Sequence, residues 1–124
     1  MVSKVLSGGL RGIYCYPVQV EVDISNGLPG FEMVGFLGSE VREAKERVKV
    51  SLKNAGYPLP AVKITVNISP ADIRKEGTAY DLPIAIGILK SLGYLKEPLV
   101  DEFFFVGEMG LEWVVCFEYF VWIF

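Results

Sequence analysis

The chain has 124 residues, of which 52% are hydrophobic and 22% charged, and 15 acidic residues against 12 basic ones give a net charge of −3. This length fits one domain with a modest hydrophobic core, and the composition is that of a globular protein rather than a disordered one. The acidic balance argues against a protein devoted entirely to neutralising nucleic acid phosphates, although it leaves room for a local basic surface.

The cysteine and histidine content excludes several kinds of chemistry. Cys15 and Cys116 are far apart and form no CxxC pair, and the chain has no histidine. We therefore expect free thiols in a reducing cytoplasm, no metal or redox motif, and no Ser–His–Asp or Cys–His catalysis within this chain. The N-terminus lacks an apolar signal-peptide core, and no segment reaches the about 18 apolar residues of a membrane span. A cytoplasmic location and no membrane partner are expected.

The first third of the chain predicts three strands. Residues 4–10 are typical of a strand, and residues 18–25 alternate apolar and polar side chains with a period of two. A turn rich in Gly and Pro follows, and then a short apolar run at residues 31–35. We expect residues 18–35 to form a β-hairpin with a longer loop.

A helix is predicted from Ser39, whose side chain is expected to cap the first turn, to Gly56, which suits a left-handed C-cap. Its apolar residues form one buried stripe at spacings of three and four: Val41, Ala44, Val48, Leu52 and Ala55. The opposite face carries the basic row, our candidate for DNA binding: Arg42, Lys45, Lys49 and Lys53. The alternative is an ordinary solvated face whose charge Glu43 and Glu46 offset. No aromatic residue interleaves with the basic row, so base stacking is not indicated.

The rest of the chain predicts a strand, a helix and a further strand. Residues 62–69 alternate cleanly, residues 82–92 are apolar almost all round, and residues 103–109 are typical of a central strand. Gly87 costs its helix about 1 kcal/mol relative to Ala, which indicates close packing at that point. The resulting β-β-β-α-β-α-β order, with both helices on one face of the sheet, predicts a two-layer α+β sandwich.

Five charged residues form what we name the charged corner, before and at the start of the second helix: Asp72, Arg74, Lys75, Glu76 and Asp81. Either Asp81 or Thr78 is a candidate cap of that helix. The three carboxylates have the oxygen ligands that suit magnesium, but a solvated loop with basic counter-charges is the alternative, and we assign no metal site. Ser69 beside Lys75 is a candidate serine–lysine dyad, against the alternative of an outward serine at a strand end.

Four segments taken together resemble one family: VEVDISNGLPGFEMVG, SEVREAKERVKVSLKNAGYPLP, KITVNISPADIRKEGTAYDLPIAIGIL and FVGEM. They resemble the N-terminal domain of the ComM/YifB proteins, bacterial AAA+ ATPases related to the magnesium-chelatase ATPase subunit. The resemblance covers residues 1–109 in order. It implies a fold similar to the C-terminal domain of Lon protease, in the ribosomal-protein-S-five-domain-two-like group, with a left-handed crossover that the usual handedness rule would not predict.

The resemblance also implies a function. Full-length members carry an ATPase module that uses ATP and magnesium, they form hexameric rings, and ComM-type proteins act on DNA as branch-migration helicases in natural transformation. The present chain contains no GxxxxGK(S/T) motif, so we expect no P-loop and no cofactor of its own. The expected role is a non-catalytic accessory domain, in which the basic row contacts DNA and the charged corner contacts other subunits.

Two segments of the chain differ from the proteins that it resembles. In Lon the nucleophilic serine lies in a KDGPSAG segment before a helix, and the matching KEGTAYD segment places Ala79 there, with Thr78 adjacent, so peptidase chemistry is not expected. A Lon-like peptidase using Thr78 or Ser69 with Lys75 is the alternative, and a metal-chelatase partner is a third hypothesis. Residues 110–124 depart from the family, and we expect them to be a divergent apolar tail, frameshifted or truncated, with the AAA+ module absent and a tendency to self-associate.

Overall fold

A computed structural model describes residues 2–11, 13–96, 101, 103–112 and 115–122. Its elements are β1 (Val2–Arg11), β2 (Tyr14–Ser25), β3 (Gly30–Val34), α1 (Ser39–Arg42), α2 (Ala44–Asn54), β4 (Lys63–Ser69), α3 (Asp81–Ser91), β5 (Phe103–Met109) and β6 (Val115–Trp122). This mixed content is consistent with the predicted α+β class. Two features differ from the predicted order: the first helix is divided at Glu43 into α1 and α2, and β6 follows β5.

The strands form one six-stranded sheet in the order β3-β4-β2-β1-β5-β6. β1 and β2 form an antiparallel hairpin, whereas β4 lies between β2 and β3, so that Val66 of β4 faces Val22 on one side and Met33 on the other. The predicted hairpin over residues 18–35 is therefore wrong. Alternation identifies a strand and its buried face, but it does not specify the neighbouring strand. The longer β4 forms more residue pairs with β2 than the short β3 could form with it.

The sheet continues beyond the predicted domain boundary. β5 lies parallel to β1, with Leu6 paired to Phe104, and β6 pairs antiparallel with β5 across a register shift at Glu108 and Met109. The backbone of residues 115–122, which belong to the predicted divergent tail, thus extends the same sheet. β3 and β6 are the two edge strands of this sheet.

The core lies between one face of the sheet and the helices. Along β2, Val18, Val20 and Val22 are fully buried, and every second residue of β4 from Ile64 to Ile68 is buried in the same way. α3 packs on β1, β2 and β5, and α2 packs against α3. A Cβ placed on Gly87 would lie 2.6 Å from Cγ2 of Val22, which confirms the predicted close approach. Of the helices in the described ranges, none has the length and apolar content to cross a membrane.

The helix ends match the predictions at one terminus only. Gly56 has φ +94° and ends α2 in the left-handed conformation, as predicted. The predicted N-terminal caps are wrong: Gly38 rather than Ser39 is the N-cap of α1, and Tyr80 is the N-cap of α3, neither with a side-chain cap. The side chain of Asp81 does not cap α3, because it forms a buried ion pair that is described below.

Candidate nucleic-acid and subunit-contact surfaces

The basic row faces solvent along α1 and α2. The division at Glu43 places Arg42 on α1 and the three lysines on α2, where they follow one another at intervals of about 6 Å. Lys45 is half-buried and the other three are exposed. Within the described part of the chain, none of these four side chains forms an ion pair, and the exposed Glu46 is the carboxylate on the same face. The row therefore presents unpaired cations to solvent.

Burial divides the charged corner into two parts. Asp72, Arg74 and Glu76 are exposed, whereas Lys75 and Asp81 have no exposed surface. Arg74 forms an ion pair with Glu76, with 3.0 Å between Nε and Oε1, and its guanidinium lies 6.0 Å from the ring centroid of Phe36. Only the first three residues can therefore meet a partner directly, and the other two act inside the protein.

A recess of about 470 Å³ opens beside the exposed part of the charged corner. Apolar and charged side chains line it together: Leu10, Tyr16, Phe36, Asp72, Ile73, Arg74 and Glu76. Phe36 is 53% exposed and has φ +59°, a left-handed conformation that costs a non-glycine residue about 1–2 kcal/mol. Strained residues persist where the surrounding structure holds them, and they cluster at functional sites. An exposed aromatic held in this way makes the recess a candidate contact surface.

Lys75 connects two loops next to this recess through hydrogen bonds. Its Nζ donates hydrogen bonds to the carbonyls of Gly35 and Pro70. Its own backbone continues the connection, because its amide donates to Phe36 O over 3.0 Å and its carbonyl accepts from the Gly38 amide over 2.8 Å. Burial lowers the pKa of the Lys75 ammonium. We read this lysine as a structural tie between the start of α1 and the end of β4.

Asp81 is the centre of a second buried connection. Arg47 donates from Nε to Asp81 Oδ2 over 2.6 Å and from Nη2 to Oδ1 over 2.9 Å, and the Met109 amide donates to Oδ2 over 3.2 Å. Arg47 Nη2 also donates to Glu40 O over 2.8 Å. Burial raises the pKa of Asp81, while the hydrogen bonds from Arg47 and Met109 oppose that rise. The hydrogen bond to Asp81 in turn raises the pKa of Arg47. The pair joins α1, α2 and α3 to one another and to the end of β5.

The sequence prediction missed Arg47. It lies between the apolar stripe and the basic row, so neither periodicity selects it. The available signal is weak: one arginine on a helix flank and one aspartate at the start of an apolar helix, with no indication that the two elements meet.

Ser69 and Lys75, two residues of the peptidase hypothesis, each form hydrogen bonds to backbone carbonyls. Ser69 Oγ donates to Gln19 O over 3.4 Å, whereas Lys75 Nζ is committed to the two carbonyls named above. The carbonyl of Ala79 accepts a hydrogen bond from the Gly107 amide over 2.8 Å, and the neighbouring Thr78 is half-buried. The described residues contain no group of three or more His, Cys, Asp or Glu side chains placed to hold a metal ion.

Comparison with known proteins gives consistent matches. The profile of the family described as "Subunit ChlI of Mg-chelatase" matches residues 20–115. Over 100 residues, 81% of this chain, the sequence is 49% identical to the uncharacterized protein YifB of Escherichia coli. Over 107 residues, 86% of the chain, it is 46% identical to the competence protein ComM of Haemophilus influenzae. An uncharacterized protein of Mycobacterium tuberculosis is 29% identical over 109 residues, 88% of the chain.

The chain therefore belongs to the family of the Mg-chelatase subunit ChlI. Within that family its resemblance to ComM and YifB is confirmed. The matched regions amount to 20% of YifB and 21% of ComM, so the chain spans about a fifth of the length of these curated relatives.

Proposed function

We propose that this chain is a non-catalytic accessory domain of a ComM-type AAA+ protein and that it contacts DNA and neighbouring subunits. Membership of the ChlI family and the similarity to a protein named for competence support the proposal. We also propose a fold of the Lon C-terminal and ribosomal-protein-S-five-domain-two type, with which the arrangement of β1 to β5 is compatible. ATP and magnesium belong, in this proposal, to the ATPase module of the full-length relatives, and the location is cytoplasmic.

The observation that carries the DNA proposal is the basic row. Three lysines follow one face of α2 at regular intervals, Arg42 precedes them on α1, and none of the four cations is neutralised by an ion pair with a described residue. A row of this kind can follow a phosphate backbone and release counterions when it binds. The acidic net charge of the whole chain does not oppose this, because interactions between exposed charges are screened beyond about 8–10 Å at physiological salt.

A salt titration of DNA binding tests this surface. Fluorescence anisotropy with a labelled 20-base-pair duplex should give a log–log salt slope of about −3 to −4, since each neutralised phosphate contributes about −0.9. The variant Lys45→Glu with Lys49→Glu should lower the magnitude of this slope by about 2 and weaken binding strongly. The matched control is Lys4→Glu with Lys63→Glu, which makes the same charge change on the opposite, open face of the sheet.

The proposal for this surface fails if affinity does not depend on salt. It also fails if the double charge reversal on α2 and the control pair weaken binding equally, because the effect would then come from net charge and not from the row.

The recess beside the charged corner is the proposed subunit contact. It combines an exposed aromatic ring with two acidic side chains and one arginine, which is the mixture of apolar anchor and polar rim found at protein interfaces. Sedimentation velocity of the chain against Phe36→Ser tests it. The wild-type chain should self-associate more strongly than the variant, and identical sedimentation at all concentrations would contradict a contact through this recess.

A further inference from the structure

The two long helices end in the same six-residue pattern. α2 ends in LKNAGY, residues 52–57, and α3 ends in LKSLGY, residues 89–94. In each, the glycine has positive φ, +94° at Gly56 and +86° at Gly93. The glycine amide bonds to the lysine carbonyl and the tyrosine amide bonds to the leucine carbonyl, over 2.8 to 3.1 Å. This is the Schellman arrangement of a helix C-terminus, and it occurs twice with identical key residues.

The repeated pattern brings its two tyrosines together. The rings of Tyr57 and Tyr94 meet edge to face, with 4.8 Å between centroids and 65° between planes. Tyr57 is 39% exposed and Tyr94 is 56% exposed. A Schellman motif requires only an apolar residue at this position, for contact with the leucine one turn before, and leucine itself would serve. The helix ends therefore do not require an exposed aromatic ring at either position.

The tyrosine pair lies at the end of the basic row. Lys53, the last member of the row, precedes Tyr57 by four residues, and the exposed Lys96 follows Tyr94 by two. A Cβ on Gly93 would lie 4.0 Å from Cε of Lys96, so this lysine folds back over the end of α3. Residues 47–71 and 82–96 contain no acidic residue, but Glu97 directly follows Lys96, and the exposed Glu112 follows Leu111, whose carbonyl accepts a hydrogen bond from the end of α2. The aromatic pair therefore has Lys53 of α2 on one side in the chain and Lys96, which follows α3, on the other, a combination that the sequence pattern alone did not indicate.

We propose that Tyr57 and Tyr94 form a base-stacking site for single-stranded nucleic acid. The site extends the basic row and so rests on the DNA contact proposed above. Lysines hold the phosphates of a strand, and an exposed ring stacks on any unpaired base, because every base has a π-face. Bases inside a duplex are already stacked on their neighbours and cannot reach the rings. The site should therefore add affinity for a single strand and none for a duplex.

The test uses the double variant Tyr57→Leu with Tyr94→Leu. Leucine keeps the apolar contact of both Schellman motifs, so the fold should be retained, and circular dichroism checks it. The probes are a 12-nucleotide oligothymidylate and a 12-base-pair duplex. The variant should bind the single strand about tenfold more weakly, equivalent to about 1.4 kcal/mol for one stacked base, with an unchanged salt slope and unchanged duplex affinity.

Two further variants frame the result. Tyr57→Phe with Tyr94→Phe should bind like wild type, because the rings remain. Tyr14→Leu removes a tyrosine that is 75% exposed at the start of β2 and should also bind like wild type. If wild type binds neither probe, both the DNA proposal and this inference fail. If wild type binds both probes with the expected salt dependence and the leucine variant is equal to it, or weaker on both, the stacking site alone is overturned.

Discussion

The substitution Asp81→Asn should reveal how much of the fold depends on the buried ion pair. Asp81 offers two acceptor oxygens to three donors: Oδ2 receives Arg47 Nε and the Met109 amide, and Oδ1 receives Arg47 Nη2. Asparagine offers one acceptor and one donor. Whichever way its amide turns, an NH₂ group faces an N–H donor, and the guanidinium loses its counter-charge.

The expected loss is about 3 kcal/mol in the free energy of unfolding. Breaking a buried pair by removing one partner costs about 3–5 kcal/mol, and the lower value applies because the Arg47 side chain is 20% exposed and can recover some hydration. The total free energy of unfolding of a domain of this size is about 5–15 kcal/mol. Urea denaturation followed by circular dichroism should show the midpoint shift directly.

The matched control is Glu43→Gln, which removes the carboxylate that forms an exposed ion pair with Arg47. Its oxygen lies 3.9 Å from Nη1 and its side chain is 68% exposed, so the loss should stay below about 0.5 kcal/mol. Arg47→Met with Asp81→Leu should recover much of the stability lost in Asp81→Asn, because an apolar pair leaves no unpaired buried charge. Equal midpoints for wild type and Asp81→Asn would refute the reasoning.

Three further predictions follow from single sites. Gly87→Ala should destabilise the fold by about 1–3 kcal/mol in urea denaturation despite its better helix propensity, because the added Cβ meets Val22 at 2.6 Å. Lys75→Met should lower stability by about 2–3 kcal/mol in the same assay, since the carbonyls of Gly35 and Pro70 lose their donor. Burial raises the pKa of Tyr80 above its ordinary value of 10.0, so the folded state keeps a proton that the unfolded state loses. The stability of wild type relative to Tyr80→Phe should therefore be constant below pH 10 and fall by about 1 kcal/mol for each pH unit above it.

Local patterns predicted the elements of this fold better than their partners. The alternation in β2 and β4 gave the buried face of each strand correctly, because side-chain direction is a property of the strand itself. The hairpin at residues 18–35 was wrong because β4, which comes later in the chain, enters between β2 and β3. Which strands pair depends on contacts between segments that are far apart in the chain, and no residue in the turn determines it.

The candidate sites show the same contrast between features of one element and contacts between elements. The basic row was predicted from helical spacing, and its solvent exposure agrees with that spacing because both belong to one helix. The charged corner was treated as one surface, but Lys75 and Asp81 turn inward to partners on other elements. The tyrosine pair was not predicted, since Tyr57 and Tyr94 are 37 residues apart (94 − 57) and meet only because α2 and α3 lie side by side. The signal that could have found it is the repeated LKxxGY.

The recess and the tyrosine pair lie at opposite ends of the helix layer, and the basic row runs from one end towards the other. The charged corner is tied to the start of α1 through Lys75 and leads into the start of α3, whereas the tyrosine pair follows the last turns of α2 and α3. Eleven residues of α3 separate the two ends by about 16 Å. This distance exceeds the Debye length of about 8 Å at physiological salt, so exposed charges at one end act weakly on a ligand at the other. In the proposals made above, a neighbouring subunit at the recess and a single strand at the tyrosine pair would therefore not compete for the same surface.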